Sequence, residues 1–285
     1  MTFIQYSILT LLFLVLADGL ILPPSLQSLE ATTPQPLIKR QSQRKAEIVG
    51  GKIGKGSKEF CNGSQVQRII ADLKWMHELA GAASDFLLQP NSHTTAAYVA
   101  WFGESSAARA TEIGNQVFKS IWNMGRRPVT YAESVEDGSY NGIVFGCFPQ
   151  DPRYCKADTY AVARDNRYSY VMVCPSYFGL SQRYTEAFES WRDRRKDIEV
   201  GGQILLHEML HQRIVVGTDY YAYDYAYHPD SCLSLPDWKK KGNAENYALF
   251  ALEVKANLER AKLQVDLKAP EGAGENAKSL LKPSS

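Results

Sequence analysis

Two histidines and a glutamate fall close together in His207-Glu208-Met209-Leu210-His211. A spacing of four puts both imidazoles on one face of a helix, one turn apart. Two such rings can reach a single zinc ion at about 2.0–2.1 Å. Glu208 lies one residue on, beside the metal rather than on it. From there it can take a proton from water and pass it to a leaving amine. Ile204, Leu205 and Leu206 precede the pair and Leu210 sits within it, so this helix has an apolar side to bury. The chemistry this implies is metal-assisted hydrolysis.

A hydrolytic zinc site takes three protein ligands and leaves a fourth position open. The position six after His211 is Gly217, which excludes the extended three-histidine pattern. Candidates for the third ligand are Asp219, Asp224, His228, Asp230 and Glu245. Glu245 would complete the site from a following helix. An aspartate in the nearby loop would be a different solution.

The elements that must position these groups follow from periodicity. Val66, Ile69, Ile70, Leu73, Met76 and Leu79 recur at helical spacing and predict a helix from Ser64 to about Phe86. A second helical stretch runs from about Ser105 to Met124 and stops before Pro128. The middle of the chain is different. Val129–Tyr131, Gly142–Cys147, Thr159–Arg164 and Ser169–Val173 are short, β-branched or aromatic, and bounded by turn formers. They predict a small antiparallel sheet, with Asp165-Asn166 turning between the last two. Helical patterning returns at Ser181, with a helix over Val200–Val215 stopped by Gly217 and a last one from Asn243 to about Leu267. Residues 268–285 read as a flexible C-terminal tail. No repeat is present, and the order of helix, small sheet and helix predicts an α+β class.

The chain has 285 residues, 45% of them hydrophobic, enough for one substantial core. Lys+Arg number 32 against Asp+Glu 31, a net charge of +1, which excludes a strongly basic nucleic-acid binder. Sixteen tyrosines and 11% aromatic residues exclude a disordered chain.

Residues 8–17 form an apolar run too short to span a bilayer comfortably, and Val15 with Ala17 gives a small-residue cleavage pattern. Residues 1–17 are therefore expected to be a signal peptide, and 18–45, rich in Pro, Ser, Thr and Gln, a pro-segment or linker. Lys39-Arg40 and Arg44-Lys45 are two candidate processing sites. Ile48-Val49-Gly50-Gly51 imitates the new N-terminus of an activated trypsin-like protease, but no serine lies in a Gly-Asp-Ser-Gly setting. The five cysteines, Cys61, Cys147, Cys155, Cys174 and Cys232, all follow the apolar run and should mostly pair in an oxidising compartment, leaving one over. Asn62-Gly63-Ser64 is a glycosylation sequon.

Gly217-Thr218 followed by Asp224-Tyr225-Ala226-Tyr227 resembles the second motif of the deuterolysin-like aspzincins, the family that includes fungal peptidyl-Lys metalloendopeptidases. Asn243-Ala244-Glu245 looks like the start of their next helix, and Tyr98-Val99-Ala100-Trp101-Phe102-Gly103 is similar to a further family segment. The resemblance implies a helix-dominated, zincin-like single domain over 46–267. It implies Zn²⁺ held by His207, His211 and Asp224, with Asp219 as the fallback ligand. Glu208 becomes the general base, and the Tyr227 phenol a donor to the oxyanion. Glu245 would meet a basic substrate side chain or fix a zinc-bound histidine. The family's second pocket acid, one turn later, is replaced here by Ala248. The same resemblance implies bridges Cys61–Cys147 and Cys155–Cys174, with Cys232 left over. The protein expected is a secreted, monomeric zinc endopeptidase acting on proteins or peptides, with no nucleic-acid partner and no stable membrane association. The alternative is a weak or inactive secreted zinc-binding or host-interaction protein on the same scaffold.

Overall fold

The computed structural model describes residues 44–50, 58–138, 142–151, 153–268 and 272–282. The expected signal peptide and both basic residues of Lys39-Arg40 lie outside them. Strand β1 is Lys45–Val49. Helix α1, Gly63–Leu87, follows and opens on a capping box: Asn62 Oδ1 accepts the Gln65 N–H while Gln65 returns its side chain to the Asn62 N–H. Of its periodic side chains, Val66, Ile69, Leu73, Met76 and Leu79 are buried and Ile70 is half-buried. Each contributes roughly 1.5–3 kcal/mol if a full side chain leaves water.

Helix α2 is Ala96–Phe102, every residue of it buried. The helical stretch expected over Ser105–Met124 is helical throughout, as a 3₁₀ turn over Glu104–Arg109, a short α turn, a π turn over Ile113–Phe118, and helix α3, Lys119–Gly125. Strands β2 (Thr130–Ala132), β3 (Gly142–Cys147), β4 (Ala161–Asp165) and β5 (Ser169–Val173) complete a sheet of order β2-β1-β3-β5-β4. The helix-rich α+β class is as expected. The sheet, however, is mixed rather than antiparallel: β1 runs parallel to β2 and β3, β3 parallel to β5, and only the β4–β5 hairpin is antiparallel. Helices return the chain to the same sheet end between β1 and β2, and strand β4 does so between β3 and β5, as parallel pairing requires.

Strand β1 went unseen in the sequence. Ile48 and Val49 are fully buried, so the protease-like tetrad begins as the inside of a sheet rather than a chain end. Lys45 pairs with Gly142, so the strand starts within the segment 18–45 that composition marks as pro-segment or linker.

Helix α4, Tyr184–Arg194, leads to helix α5, Gly201–Met209, which packs along α1. The approach is close because α5 begins with two glycines. A Cβ on Gly202 would stand 2.7 Å from the Trp75 Cβ and 2.9 Å from the Met76 backbone nitrogen. A buried network marks the same corner: Asp72 accepts from Arg68 and Tyr177, each at 2.6 Å, and from Tyr184, whose hydroxyl oxygen also accepts the Gly202 N–H. Helix α6, Ala244–Ala256, is buried almost all round and forms the axis of the core. It is shorter than predicted: Asn257 interrupts it before a last turn at Leu258–Ala261.

The segment read as a flexible tail contains helix α7, Ala273–Leu281, which packs against α2. Ala273, Ala277 and Leu281 recur at spacing four and are buried, and this stripe outweighs the Pro/Gly/Ser composition around it. Disulfides join Cys61 to Cys147 and Cys155 to Cys174, and Cys232 is free and buried. Residues 36–285 form one compact unit as far as they are described. Among the described residues no helix is long and apolar enough to cross a membrane.

Candidate metal centre

His207 sits in the last turn of α5, but His211 lies just beyond it. The helix ends at Met209 and the chain turns tightly, with the N–H groups of Leu210, His211 and Gln212 each bonding three residues back. The continuous helix predicted to Val215 is broken by tertiary contacts. Gln212 Nε2 donates to the carbonyls of Arg164 and Tyr170 on β4 and β5, and Asp165 accepts the Arg213 N–H as the chain restarts in a short turn. Hydrogen bonds offered by the sheet replace those of a further helical turn.

The two imidazoles still converge, with Nε2 atoms 3.2 Å apart. Asp224 Oδ1 lies 3.1 Å from each. Among the described residues these three form the one group of His, Cys, Asp or Glu ligand atoms within 4.8 Å of one another. Asp219 is exposed on the turn Thr218–Tyr220, and Asp230 is exposed in the first turn of Pro229–Ser234. Neither joins the group, and nor does His228, although it lines the same cavity.

The donor set fits a small tetrahedral cation. Ligands at about 2.05 Å in tetrahedral array stand about 3.3 Å from one another, close to the edges observed. The other ring nitrogens are taken: His207 Nδ1 lies 2.7 Å from Glu245 Oε2 and His211 Nδ1 lies 3.0 Å from the Ala222 carbonyl. Each Nδ1–H donates outward, so each Nε2 can turn its lone pair inward.

Burial by itself would lower the His207 pKa, but hydrogen bonds to Asp224 and Glu245 overcome it and hold the ring well above its ordinary value. Burial would raise Asp224, yet both histidines hold it well below the usual carboxylate range. The triangle therefore demands positive charge at its centre, which a proton or a metal ion can provide.

Glu208 is buried, and burial raises its carboxyl above the ordinary range. Its Oε2 accepts the Ala163 N–H at 2.6 Å, from the edge strand β4. That backbone donor carries no sequence signal. Tyr227 stacks over His207, ring centroids 5.8 Å apart, and its hydroxyl reaches Asp224. Burial and the Asp224 charge raise its pKa, so it stays a protonated donor. A cavity of about 680 Å³ opens over all these groups.

Glu245 lies where the sequence places it, at the start of α6, but its carboxylate is engaged. Besides His207 it meets Gln203 Nε2 at 3.3 Å. Glu245 also lines the cavity, so the carboxylate that supports His207 borders the space a substrate would enter. Gln203 and Asp197 were not singled out by sequence. Gln203 Nε2 also donates to Asp197 Oδ2 at 3.3 Å, while Gln203 Oε1 and Asp197 Oδ1 are buried without a partner among the described residues.

The loop that carries Asp224 is pinned at both ends. The Ala222 N–H bonds to the Leu210 carbonyl, and Tyr223 pairs with the Gly242–Ala244 segment in both directions. The tyrosines of this loop form a chain of ring contacts from Tyr221 through Tyr223 and Tyr225 to Trp238.

The sequence model of the lysine-specific metallo-endopeptidase family matches residues 87–252, more than half of the chain. Among solved structures, a zinc peptidase from Grifola frondosa is similar at 20% identity and a TM-score of 0.46, over 69% of this chain and 99% of that one. A comparison with curated proteins gave no significant match.

Proposed function

The chain belongs to the lysine-specific metallo-endopeptidase family, and from that premise we propose that it is a secreted zinc endopeptidase whose metal is held by His207, His211 and Asp224. The observation that carries this reading is the triangle of two Nε2 atoms and one carboxylate oxygen, with edges of 3.1–3.2 Å, at the floor of the cavity that Glu208 lines. Zinc, when bound, supplies Lewis acidity that makes water nucleophilic near neutral pH and polarises a carbonyl.

The chain's own groups do the rest. Glu208, with its pKa raised by burial and one oxygen anchored on Ala163, takes the proton from water and delivers it to the leaving amine. Tyr227 donates to the oxyanion as negative charge develops there. Glu245 keeps His207 in the tautomer that leaves Nε2 free.

The substrate is a protein or peptide, and the cavity wall carries both signs, with Arg153 and Lys156 beside its acids. Asp158 and Glu199 line it, with Asp197 behind Gln203. Ala248, the position of the family's second acid, is buried in α6 and faces no substrate. Any preference for lysine would therefore rest on Asp158 and Glu199, from the loops before β4 and α5, and on Glu245. Two disulfides suit an oxidising, extracellular setting. The organisation proposed is a signal peptide over 1–17, a pro-segment ending before β1, and a monomeric peptidase domain that includes α7.

The test is hydrolysis of a mixed peptide library by the processed protein, with and without chelator, beside Glu208→Gln. Cleavage should depend on metal and fall roughly 10²–10⁴-fold in the variant, with zinc content unchanged. One bound zinc without cleavage would move the reading to a binding protein that keeps the site and has lost the reaction.

A further inference from the structure

Asn243 is fully buried at the N-cap position of α6, yet its side chain makes no capping bond to the helix. It turns instead to the loop that carries Asp224. Its Oδ1 accepts the N–H of Tyr225 at 2.7 Å and of Ala226 at 3.1 Å, and its Nδ2 donates to the Ala226 carbonyl at 2.9 Å. The residues immediately after Asp224 are thus held by one amide, in both donor and acceptor sense. Just before Asp224, the Tyr223 N–H bonds to the Gly242 carbonyl and the Tyr223 carbonyl accepts from the Ala244 N–H.

The amide is itself oriented. Asn246 Oδ1 accepts from Asn243 Nδ2 at 2.7 Å, and Asn246 Nδ2 donates to the Trp101 carbonyl of α2 at 2.7 Å. The unpaired Cys232 completes the network. Its Sγ lies 3.4 Å from the Ala226 carbonyl and 3.5 Å from Asn243 Nδ2, and burial pushes the thiol up to about 12, so it stays a neutral donor.

We propose that Asn243 is the positioning residue for Asp224: its amide clamps the Tyr225–Ala226 backbone and so sets where the Asp224 carboxylate stands against the two imidazoles. The inference rests on the zinc reading of the site. Two residues further on, Glu245 performs the equivalent service for His207. One short segment, Gly242–Glu245, therefore fixes an acidic ligand through the backbone and a histidine ligand through its ring. A carboxylate on an exposed loop gains a fixed geometry this way without being buried itself.

The experiment compares wild type with Asn243→Ala for zinc affinity, by competition with a chromophoric chelator, and for the visible spectrum of the cobalt(II)-substituted protein. Zinc affinity should fall about 10–100-fold, and the cobalt bands should change in intensity. Ser84→Ala, which removes a buried bond to the Gly114 carbonyl far from the site, should leave both readouts unchanged. If Asn243→Ala does not fold, Asn243→Ser carries the comparison, since its hydroxyl is too short to hold both amides. A folded variant with wild-type zinc affinity and cobalt spectrum overturns the proposal. Hydrogen exchange on the wild type tests the clamp without any metal: the Tyr225 and Ala226 amides should be protected, and fast exchange there overturns it. A wild type that binds no zinc while those amides are protected strikes at the zinc reading and leaves the clamp standing.

Discussion

Glu245 Oε2 lies 2.7 Å from His207 Nδ1, at the wall of the cavity that opens over the metal group. The carboxylate fixes the ring's tautomer and raises the basicity of the opposite nitrogen. Glu245→Ala is accordingly expected to weaken zinc binding about 10–100-fold, and Glu245→Gln by less, because an amide oxygen still accepts the Nδ1–H. Zinc affinity and peptide KM should be measured together. A change in KM for basic peptides at unchanged zinc affinity would instead make Glu245 a substrate residue.

The choice between the two loop aspartates has a simple test. Asp224 Oδ1 stands 3.1 Å from both histidine Nε2 atoms, while Asp219 is exposed on a turn outside that group. Asp224→Ala should abolish stoichiometric zinc binding at micromolar metal, and Asp219→Ala should leave it within about twofold, since surface changes seldom exceed about 0.5 kcal/mol. The reverse result would falsify the ligand assignment.

Much of the site was legible because its parts are local. The spacing of His207 and His211 needs only a helical turn, and the buried Ile/Leu run beside it needs only periodicity. Asp224 was reached through a resemblance, since nothing in a Tyr-rich loop distinguishes one aspartate from another until the loop is folded. Ala163 and Gln203 could not be found, because their bonds to Glu208 and Glu245 span 45 and 42 residues, and Asp197 reaches the site only through Gln203. Strand β1 was missed for a related reason. Its five residues, Lys-Ala-Glu-Ile-Val, include two charges, and Glu47 is buried only because Lys45 and the Thr130 hydroxyl of β2 engage its carboxylate. So short a segment beside a Pro/Ser-rich stretch gives no clear strand pattern. The helix expected over Val200–Val215 ends at Met209, and Gln212 beyond it exchanges helical continuity for bonds to two strands. Local propensity could not register that competition.

The closeness of α5 to α1 makes Gly202 a sensitive position. A Cβ there meets backbone at 2.9 Å, which no rotamer change relieves. Gly202→Ala should destabilise by about 1–3 kcal/mol and weaken zinc binding, because α5 carries His207 and Glu208. Gly274→Ala, whose Cβ would meet nothing within 4 Å in helix α7, should be neutral or stabilising by about 0.5–1 kcal/mol. Urea unfolding and zinc titration of the two variants check both statements.

Asp197 gives the protein a pH dependence of a definite sign. Burial, and next the nearby Glu245 charge, raise its carboxyl to about 7. A carboxyl raised on folding holds its proton more tightly in the folded chain. Its contribution is therefore fully present below the unfolded value, near 4, and is lost as pH rises through about 7. The span of about three pKa units caps that loss at about 4 kcal/mol. Asp197→Asn removes the ionisation while keeping the shape. The difference in unfolding free energy between variant and wild type should thus shift in favour of the variant between pH 5 and pH 8. Urea unfolding at both pH values measures it, and parallel pH profiles for the two proteins would show that Asp197 is ionised in the folded chain throughout.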